Sequence, residues 1–281
     1  MIDDSRLYSF LDTENNFTVH FLDGQKLIHD LAIIHDVKSN GFAYFRDSIL
    51  TAQNLISTLK SGEGLGLFID SNEPYFKLKI EMNFAGRMRT LLMPENFNSF
   101  PEKITGTCRL SKVFPNNPSP YTSVIELNNI GFHEVVNKIL KDSYQLKADI
   151  HISENSDQSV MVQQLPKVNI NKEEVEEVQL TPKEYWVKSQ KHIQDLFSKS
   201  TTEQVEIQKH FEDLGFTFLG SKLVEFKCNC SRERMVRSIS SLCQSSGIND
   251  IFEGKDELEA KCDYCKTYYL ITKDEVINSS L

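Results

Sequence analysis

The sequence lacks the features that identify membrane, nucleic-acid-binding and low-complexity proteins. No run approaches the roughly 20 apolar residues that a membrane-spanning helix requires. The 12 glycines and 8 prolines form no repeat and no low-complexity tract. The formal net charge is -9, and no segment has the basic excess that binding to a phosphate backbone demands. These absences predict an ordinary globular protein that has neither nucleic acid nor a membrane as a partner.

A secretory signal is also missing from the N-terminal residues. The stretch MIDDSRLYSF is acidic, whereas a signal peptide begins basic and continues apolar. We therefore expect a cytoplasmic protein. In that reducing compartment, the six cysteines are expected to be metal ligands or redox-active thiols rather than a permanent disulfide framework.

The first 172 residues combine strand-like and helix-like patterns. Alternating apolar residues, rich in β-branched and aromatic types, predict strands over 64–70, 75–82 and 123–127, with turn chemistry such as NNPSP between strands. Apolar residues at helical spacing predict helices over 46–60 and 132–146. This mixture indicates an α+β core in which helices cover a sheet.

A change of composition marks the end of this core. The acidic stretch NKEEVEEVQ, over 171–179, predicts an exposed linker. Thr181 and Glu184 form a capping-box pattern for one helix. Thr201 and Gln204 repeat the pattern for a second helix, which Gly215 should end. The apolar stripes of the two helices are expected to carry Trp186, Ile193 and Phe197, and Ile207, Phe211 and Leu214.

Four cysteines form two close pairs near the C-terminus. Cys228 and Cys230 have a C-x-C spacing, and Cys262 and Cys265 have a C-x-x-C spacing. Four thiolates match the tetrahedral, sulfur-rich coordination that Zn²⁺ prefers, so we predict one zinc ion bound by these four residues. We therefore divide the chain into an N-terminal α+β core over 1–172, a helical linker over 173–220 and a small zinc-binding module over 221–281.

Basic residues border both cysteine pairs. They are expected to offset the negative charge of a four-thiolate zinc centre; they are Lys227, Arg232, Arg234, Lys261 and Lys266. Of the other two cysteines, Cys108 is expected to be a core thiol. Cys243 has two interpretations, as a half-buried apolar residue or as an additional disulfide partner.

These motifs resemble the redox switch of the heat shock protein 33 family of bacterial chaperones. The matching stretches are FKCNCSRERM and KCDYC, followed by an aromatic pair. Weaker matches lie upstream in the family's order: LISTLK, NEPYFKLKI, PYTSVIELNNI, LKDSYQLKADIHI and VQQLP. The stretch DQSVMVQQLP lacks the glycine pair that usually precedes the last of these in the family.

The resemblance implies an ATP-independent holdase chaperone rather than an enzyme. In this family the reduced, zinc-bound form is inactive. Carried over to this chain, oxidation would form the disulfides Cys228–Cys230 and Cys262–Cys265, release zinc and unfold the module with its linker. The active protein would bind unfolding clients, form a homodimer and pass clients to an ATP-dependent foldase chaperone. We expect the client-binding apolar surface to include Trp186, Ile193, Phe197 and Phe211.

Two alternative functions stay open at this stage. A static zinc ribbon could dock a specific protein or RNA partner, although the acidic charge balance is unfavourable for RNA. A thiol-disulfide oxidoreductase could use Cys262 and Cys265, although the sequence around them lacks a thioredoxin-like βαβ pattern.

Overall fold

The structure is a computed structural model. It describes residues 2–73, 75–95, 103–166 and 179–279, apart from the side chains of residues 39, 40, 118, 132 and 133. The chain folds as two compact units, Met1–Phe226 and Lys227–Leu281. The expected α+β class is confirmed, whereas the boundaries at 172 and 220 stay a prediction. The expected linker at 171–179 lies outside the described residues except for Gln179.

The described strands and helices follow one another along both units. The strands are β1 (Arg6–Asp12), β2 (Phe17–Asp23), β3 (Gly64–Glu73), β4 (Tyr75–Asn83), β5 (Arg87–Met93), β6 (Lys103–Phe114), β7 (Asn117–Gly131), β8 (Ala148–Ile152), β9 (Gln158–Gln164), β10 (Thr217–Leu223), β11 (Glu225–Phe226), β12 (Glu257–Lys261) and β13 (Tyr268–Thr272). The helices are α1 (Gln25–His35), α2 (Ser39–Gln53), α3 (Phe132–Asp142), α4 (Pro182–Lys199), α5 (Gln204–Asp213), α6 (Arg232–Ser246), α7 (Ile248–Phe252) and α8 (Lys273–Ser279), with a 3-10 turn at Asn54–Thr58. No helix in these ranges is long and apolar enough to cross a membrane.

The first unit contains two sheets. One has the strand order β10-β1-β2-β9-β8 and is antiparallel throughout. The other has the order β11-β5-β4-β3-β6-β7, in which only the short β11–β5 pair is parallel. The three expected strands lie in β3, β4 and β7. The expected turn at NNPSP is wrong in part, because β7 begins at Asn117; prolines are tolerated there since β7 is an edge strand.

Helices α1, α2 and α3 fill the space between the two sheets. Their apolar faces share one core with both sheets, which explains why β2 is buried on both faces: Leu22 points to this core, whereas Val19 and Phe21 point to the opposite side. The helix expected at 46–60 starts earlier, at Ser39, and its last turn is 3-10. The helix expected at 132–146 ends at Asp142.

Helices α4 and α5 pack on the other face of the five-stranded sheet. The capping box of α4 is confirmed: the Thr181 hydroxyl accepts the Glu184 N–H at 3.3 Å, and the Glu184 carboxylate accepts the Thr181 N–H at 2.8 Å. The cap expected for α5 is wrong, because its N-cap is Glu203 rather than Thr201. Gly215 follows the C-cap at φ +88° and ends the helix as expected. The expected stripe is buried at Ile207 and Phe211, but Leu214 is exposed.

The second unit has a small apolar core. Its β12–β13 hairpin and helices α6, α7 and α8 bury five large apolar side chains: Val236, Ile239, Phe252, Ile271 and Val276. A core of that size is small for a unit of this length. Interactions other than apolar burial must therefore contribute to the stability of the second unit.

Candidate metal centre

The C-x-C pair lies in the loop between β11 and α6. Ser231 caps α6, since its hydroxyl accepts the Arg234 N–H at 3.3 Å. The Arg234 side chain reaches back and donates to the Asn229 carbonyl at 2.7 Å. Asn229 separates the two cysteines, so this contact fixes the backbone that directs Cys228 and Cys230 inward.

The C-x-x-C pair lies in the turn of the β12–β13 hairpin. The Cys262 N–H donates to the Thr267 carbonyl at 2.9 Å, and the Lys266 N–H donates to the Cys262 carbonyl at 2.8 Å. Lys266 has φ +60°, which closes the turn. The backbone N–H groups of Tyr264 and Cys265 point at the Cys262 sulfur, the arrangement that stabilises a thiolate ligand.

The two pairs meet in one cluster. All four Sγ atoms lie within 4.8 Å of one another. The separations are 3.8 Å between Cys228 and Cys262 and 3.2 Å between Cys230 and Cys265. A tetrahedral zinc ion with Zn–S bonds of about 2.3 Å places its sulfurs about 3.8 Å apart. The four cysteines therefore fit one zinc ion.

The protonation of the thiols is uneven without a metal. Burial raises the pKa of Cys228 to about 12 and also raises the pKa of Cys262. Burial acts in the same direction on Cys265, but hydrogen bonds from the Thr267 hydroxyl and backbone N–H lower its pKa to about 7. A bound zinc ion supplies the positive charge that keeps all four sulfurs as thiolates.

The arginines beside the first pair contact other groups. Arg232 forms a bidentate ion pair with Glu275, at 2.7 and 3.0 Å, and donates to the Leu270 carbonyl. This guanidinium holds the pKa of Glu275 well below its usual value, at about 2. Arg232 thus ties α6 to α8 and β13. The expectation that it offsets the sulfur charge stays a prediction.

Two hydroxyl groups at the cluster were missed from the sequence. The Tyr269 hydroxyl lies 3.1 Å from Cys230 Sγ, and the Thr267 hydroxyl lies 3.2 Å from Cys265 Sγ. Tyr269 lies in β13, and Thr267 directly precedes that strand. The cysteine spacing predicts neither contact, because each depends on how the β12–β13 hairpin folds.

The remaining cysteines lie outside the cluster. Cys108 is fully buried in the first unit, as expected, and burial raises its pKa to about 12. Cys243 is partly buried against the small core of the second unit. That position agrees with its interpretation as a half-buried apolar residue.

The four residues expected to bind clients lie together, packed against the five-stranded sheet. Ile193, Phe197 and Phe211 are buried there. Trp186 is partly buried and stacks on the His151 ring, with 3.8 Å between ring centroids. Sequence reasoning missed Tyr185, which stacks on Phe17 and donates to the Asp12 carboxylate at 2.9 Å. In this state, none of these residues forms an open apolar surface.

The fold and the site together define a class of protein: a two-unit α+β chain whose smaller unit carries a cluster of four cysteines that could bind a metal ion. The family model described as Hsp33 protein matches residues 5–272. The chain belongs to the Hsp33 family.

Curated relatives and a solved structure agree with this membership. The 33 kDa chaperonin of Clostridium botulinum (strain Hall) is 36% identical over 85 residues, which cover 30% of this chain and 28% of the relative. The 33 kDa chaperonin of Pectobacterium carotovorum is 23% identical over 253 residues, covering 86% and 84%. The crystal structure of the 33 kDa chaperonin (Hsp33 homologue) of Thermotoga maritima matches with a TM-score of 0.71 at 14% identity, covering 99% of this chain and 98% of that one.

Proposed function

We propose that this chain is a redox-regulated, ATP-independent holdase chaperone that binds unfolding proteins under oxidative stress. The observation that carries the proposal is the four-sulfur cluster inside a unit whose apolar core, over the described residues 227–279, has only five large buried side chains. Metal binding at such a site contributes on the order of 10–16 kcal/mol to the folding of a small module. Loss of the sulfur ligands therefore removes the main source of stability of this unit.

The proposed switch is the oxidation of the ligands. Two thiolates and one peroxide molecule, with two protons, give one disulfide and two water molecules. The disulfides are assigned as Cys228–Cys230 and Cys262–Cys265, so two peroxide molecules consume all four ligands. Neither disulfide can bind zinc, because a disulfide sulfur is no longer a thiolate.

Unfolding of the second unit would affect the client-binding surface through the chain segment that precedes Cys228. Cys228 follows the end of β11 by two residues, and β10 and α5 directly precede β11. Release of this segment would free α4 and α5 from the sheet and expose Trp186, Ile193, Phe197 and Phe211. An apolar surface of this kind can bind the exposed core residues of an unfolding protein.

The partners and location follow the same proposal. The oxidised protein would form a homodimer, hold unfolded clients and transfer them to an ATP-dependent foldase chaperone in the cytoplasm. It would act without catalysing a reaction and without binding nucleic acid or a membrane.

The test is the light scattering of an aggregating client protein. Equimolar protein is added either reduced and zinc-loaded or oxidised by peroxide at mildly elevated temperature. We expect suppression only after oxidation. The double variant Cys262→Ser, Cys265→Ser should lose the oxidant response, and Cys243→Ser is the matched control that should retain it.

Each other outcome would contradict the proposal in a different way. Equal suppression by both forms would indicate a constitutive chaperone with structural zinc. No suppression by either form, with zinc still bound after peroxide, would favour a static zinc ribbon that docks a partner. Catalytic turnover of a disulfide substrate would instead indicate an oxidoreductase.

A further inference from the structure

The Tyr269 hydroxyl is held against a ligand sulfur by packing. Its oxygen lies 3.1 Å from Cys230 Sγ. The tyrosine ring packs against the small core of the second unit, so the hydroxyl position is set by the fold of β13. A hydrogen-bond donor fixed in this position can change the nucleophilicity of the sulfur atom.

The direction of this hydrogen bond follows from the state of the sulfur. A zinc-bound Cys230 is a thiolate, which can only accept, so the Tyr269 O–H donates. The donated proton draws electron density from the sulfur lone pairs. Those lone pairs attack an oxidant, and the rate of the attack falls when the sulfur becomes less nucleophilic.

We propose that Tyr269 is a positioning residue that slows oxidation of the C-x-C pair through its hydrogen bond to Cys230. In the first step, a Cys230 thiolate attacks peroxide and, with one proton, gives a sulfenic acid and water. The Cys228 thiolate then attacks the sulfenic sulfur and, with a second proton, gives the disulfide and another water. The hydroxyl hydrogen bond opposes the first step. This inference rests on the proposed redox function. It adds a residue that limits how fast the C-x-C pair is oxidised.

The test variant is Tyr269→Phe, which keeps the packed ring and removes only the hydroxyl. Tyr268→Phe is the matched control, since Tyr268 is the neighbouring residue on β13 and is 58% exposed. Full-length, reduced, zinc-loaded proteins are treated with peroxide. Differential alkylation with mass spectrometry follows each cysteine, and a chromogenic chelator follows zinc release.

We expect Cys228 and Cys230 to oxidise roughly three- to tenfold faster in Tyr269→Phe, because only about half of the effect of a hydrogen bond to a charged sulfur appears in the rate of its attack. Tyr268→Phe should oxidise at the wild-type rate. Thr267→Val provides a contrast, because its hydroxyl lies against Cys265 and its removal should accelerate oxidation of Cys262 and Cys265 instead.

A second readout does not depend on oxidation. Cobalt(II) replaces zinc in the reduced proteins, and the thiolate-to-metal charge-transfer band is recorded. Loss of a hydrogen bond raises the energy of the sulfur lone pairs, so the band should move to longer wavelength in Tyr269→Phe and stay in place in Tyr268→Phe.

Two results would overturn the proposal. One is an unchanged oxidation rate in Tyr269→Phe. The other is loss of zinc from that variant, since the hydroxyl is assigned to oxidation rate rather than to metal retention. These experiments also separate this inference from the proposed holdase function. If Tyr269→Phe oxidises faster but no oxidised form binds a client, the holdase proposal is contradicted and this inference is not.

Discussion

Two buried ionisable residues on β2 give the first unit opposing responses to pH. Burial raises the pKa of Asp23 to about 7, an effect that the nearby Asp3 and Asp157 carboxylates reinforce. Burial lowers the pKa of His20 to about 4, and His20 pairs with the Ser9 hydroxyl at 2.9 Å. Protonated Asp23 therefore stabilises the folded state at low pH. This contribution to the free energy of unfolding is lost as the pH rises toward 7. The contribution of His20 is instead lost as the pH falls from 6.5 toward 4.

Replacement of Asp23 should make the pH dependence of stability that His20 causes measurable. We expect Asp23→Asn to raise the free energy of unfolding by about 2 kcal/mol at pH 8, with little change at pH 4. The stability of the variant should then rise with pH between 4 and 6.5. Urea titrations followed by fluorescence of Trp186, the single tryptophan, measure this.

The exposed aspartate Asp142, at the end of α3, provides the control. Asp142→Asn should change stability by no more than about 0.5 kcal/mol at any pH. A pH profile of Asp23→Asn that parallels the wild-type profile would show that Asp23 does not carry the effect.

At the residue level, the clustering of the four cysteines was predictable from the sequence, but the surroundings of the cluster were not. Two close cysteine pairs indicate a metal site by spacing alone. The hydroxyl groups of Thr267 and Tyr269 belong to common residue types, and their contact with sulfur depends on the register of β13 on β12. The ion pair of Arg232 with Glu275 joins residues 43 positions apart, which no local pattern shows.

Among the helices, α5 depends on one aromatic side chain. Phe211 is fully buried, stacks on Phe10 at 4.1 Å between centroids and lies edge-on to Phe21. We expect Phe211→Ala to destabilise the docking of α5 by about 3–5 kcal/mol, because it leaves a cavity between helix and sheet. Native-state hydrogen exchange of the α5 amides measures this loss.

The same variant tests the proposed client surface. If the docked helices block that surface, reduced Phe211→Ala protein should already suppress client aggregation in part. Val205→Ala is the control on the same helix, because Val205 is 76% exposed and should change neither stability nor activity. An inactive reduced Phe211→Ala protein with unprotected α5 amides would show that release of α5 is not sufficient.

At the level of elements, the cap pattern predicted the start of α4 correctly and the start of α5 incorrectly. Thr181 caps α4 as expected, whereas Thr201 lies two positions before Glu203, the N-cap of α5. The Thr201 backbone has other partners: its N–H donates to Leu196 and its carbonyl accepts from the Gln158 side chain. The first of these bonds belongs to the end of α4 and the second joins Thr201 to β9, so α5 begins only after Glu203.

For the whole molecule, the two units should differ sharply in their dependence on metal. Removal of zinc from the reduced protein by a chelator should unfold residues 227–281 and leave most of the first unit folded. Circular dichroism measures the total loss of structure, and hydrogen exchange locates it. Cys265→Ser should behave like the chelated protein, and Cys243→Ser like the wild type.

Persistence of structure in the second unit after complete zinc loss would contradict this expectation. Its five-residue core would then be sufficient for folding, and oxidation would need another route to activate the protein.

The two-sheet arrangement could not be predicted from the sequence, for a physical reason. The sequence predicted an α+β core, but β2 is buried on both faces, so it shows no simple alternation. The strand β10 crosses the boundary expected at 220, β11 lies in the region expected to be the zinc-binding module, and each joins a different sheet of the first unit. Such long-range pairing depends on the whole fold rather than on local pattern.

The position of β10 at the edge of the five-stranded sheet has a consequence for recovery after stress. If the proposed activation releases β10, the main-chain N–H and C=O groups of β1 would become a free edge that any extended chain could pair with, including a client. Return to the resting state is then a competition for one row of main-chain hydrogen bonds. The protein's own strand would enter that competition at the high effective concentration of a tethered segment, which would favour release of the client once β10 can fold again.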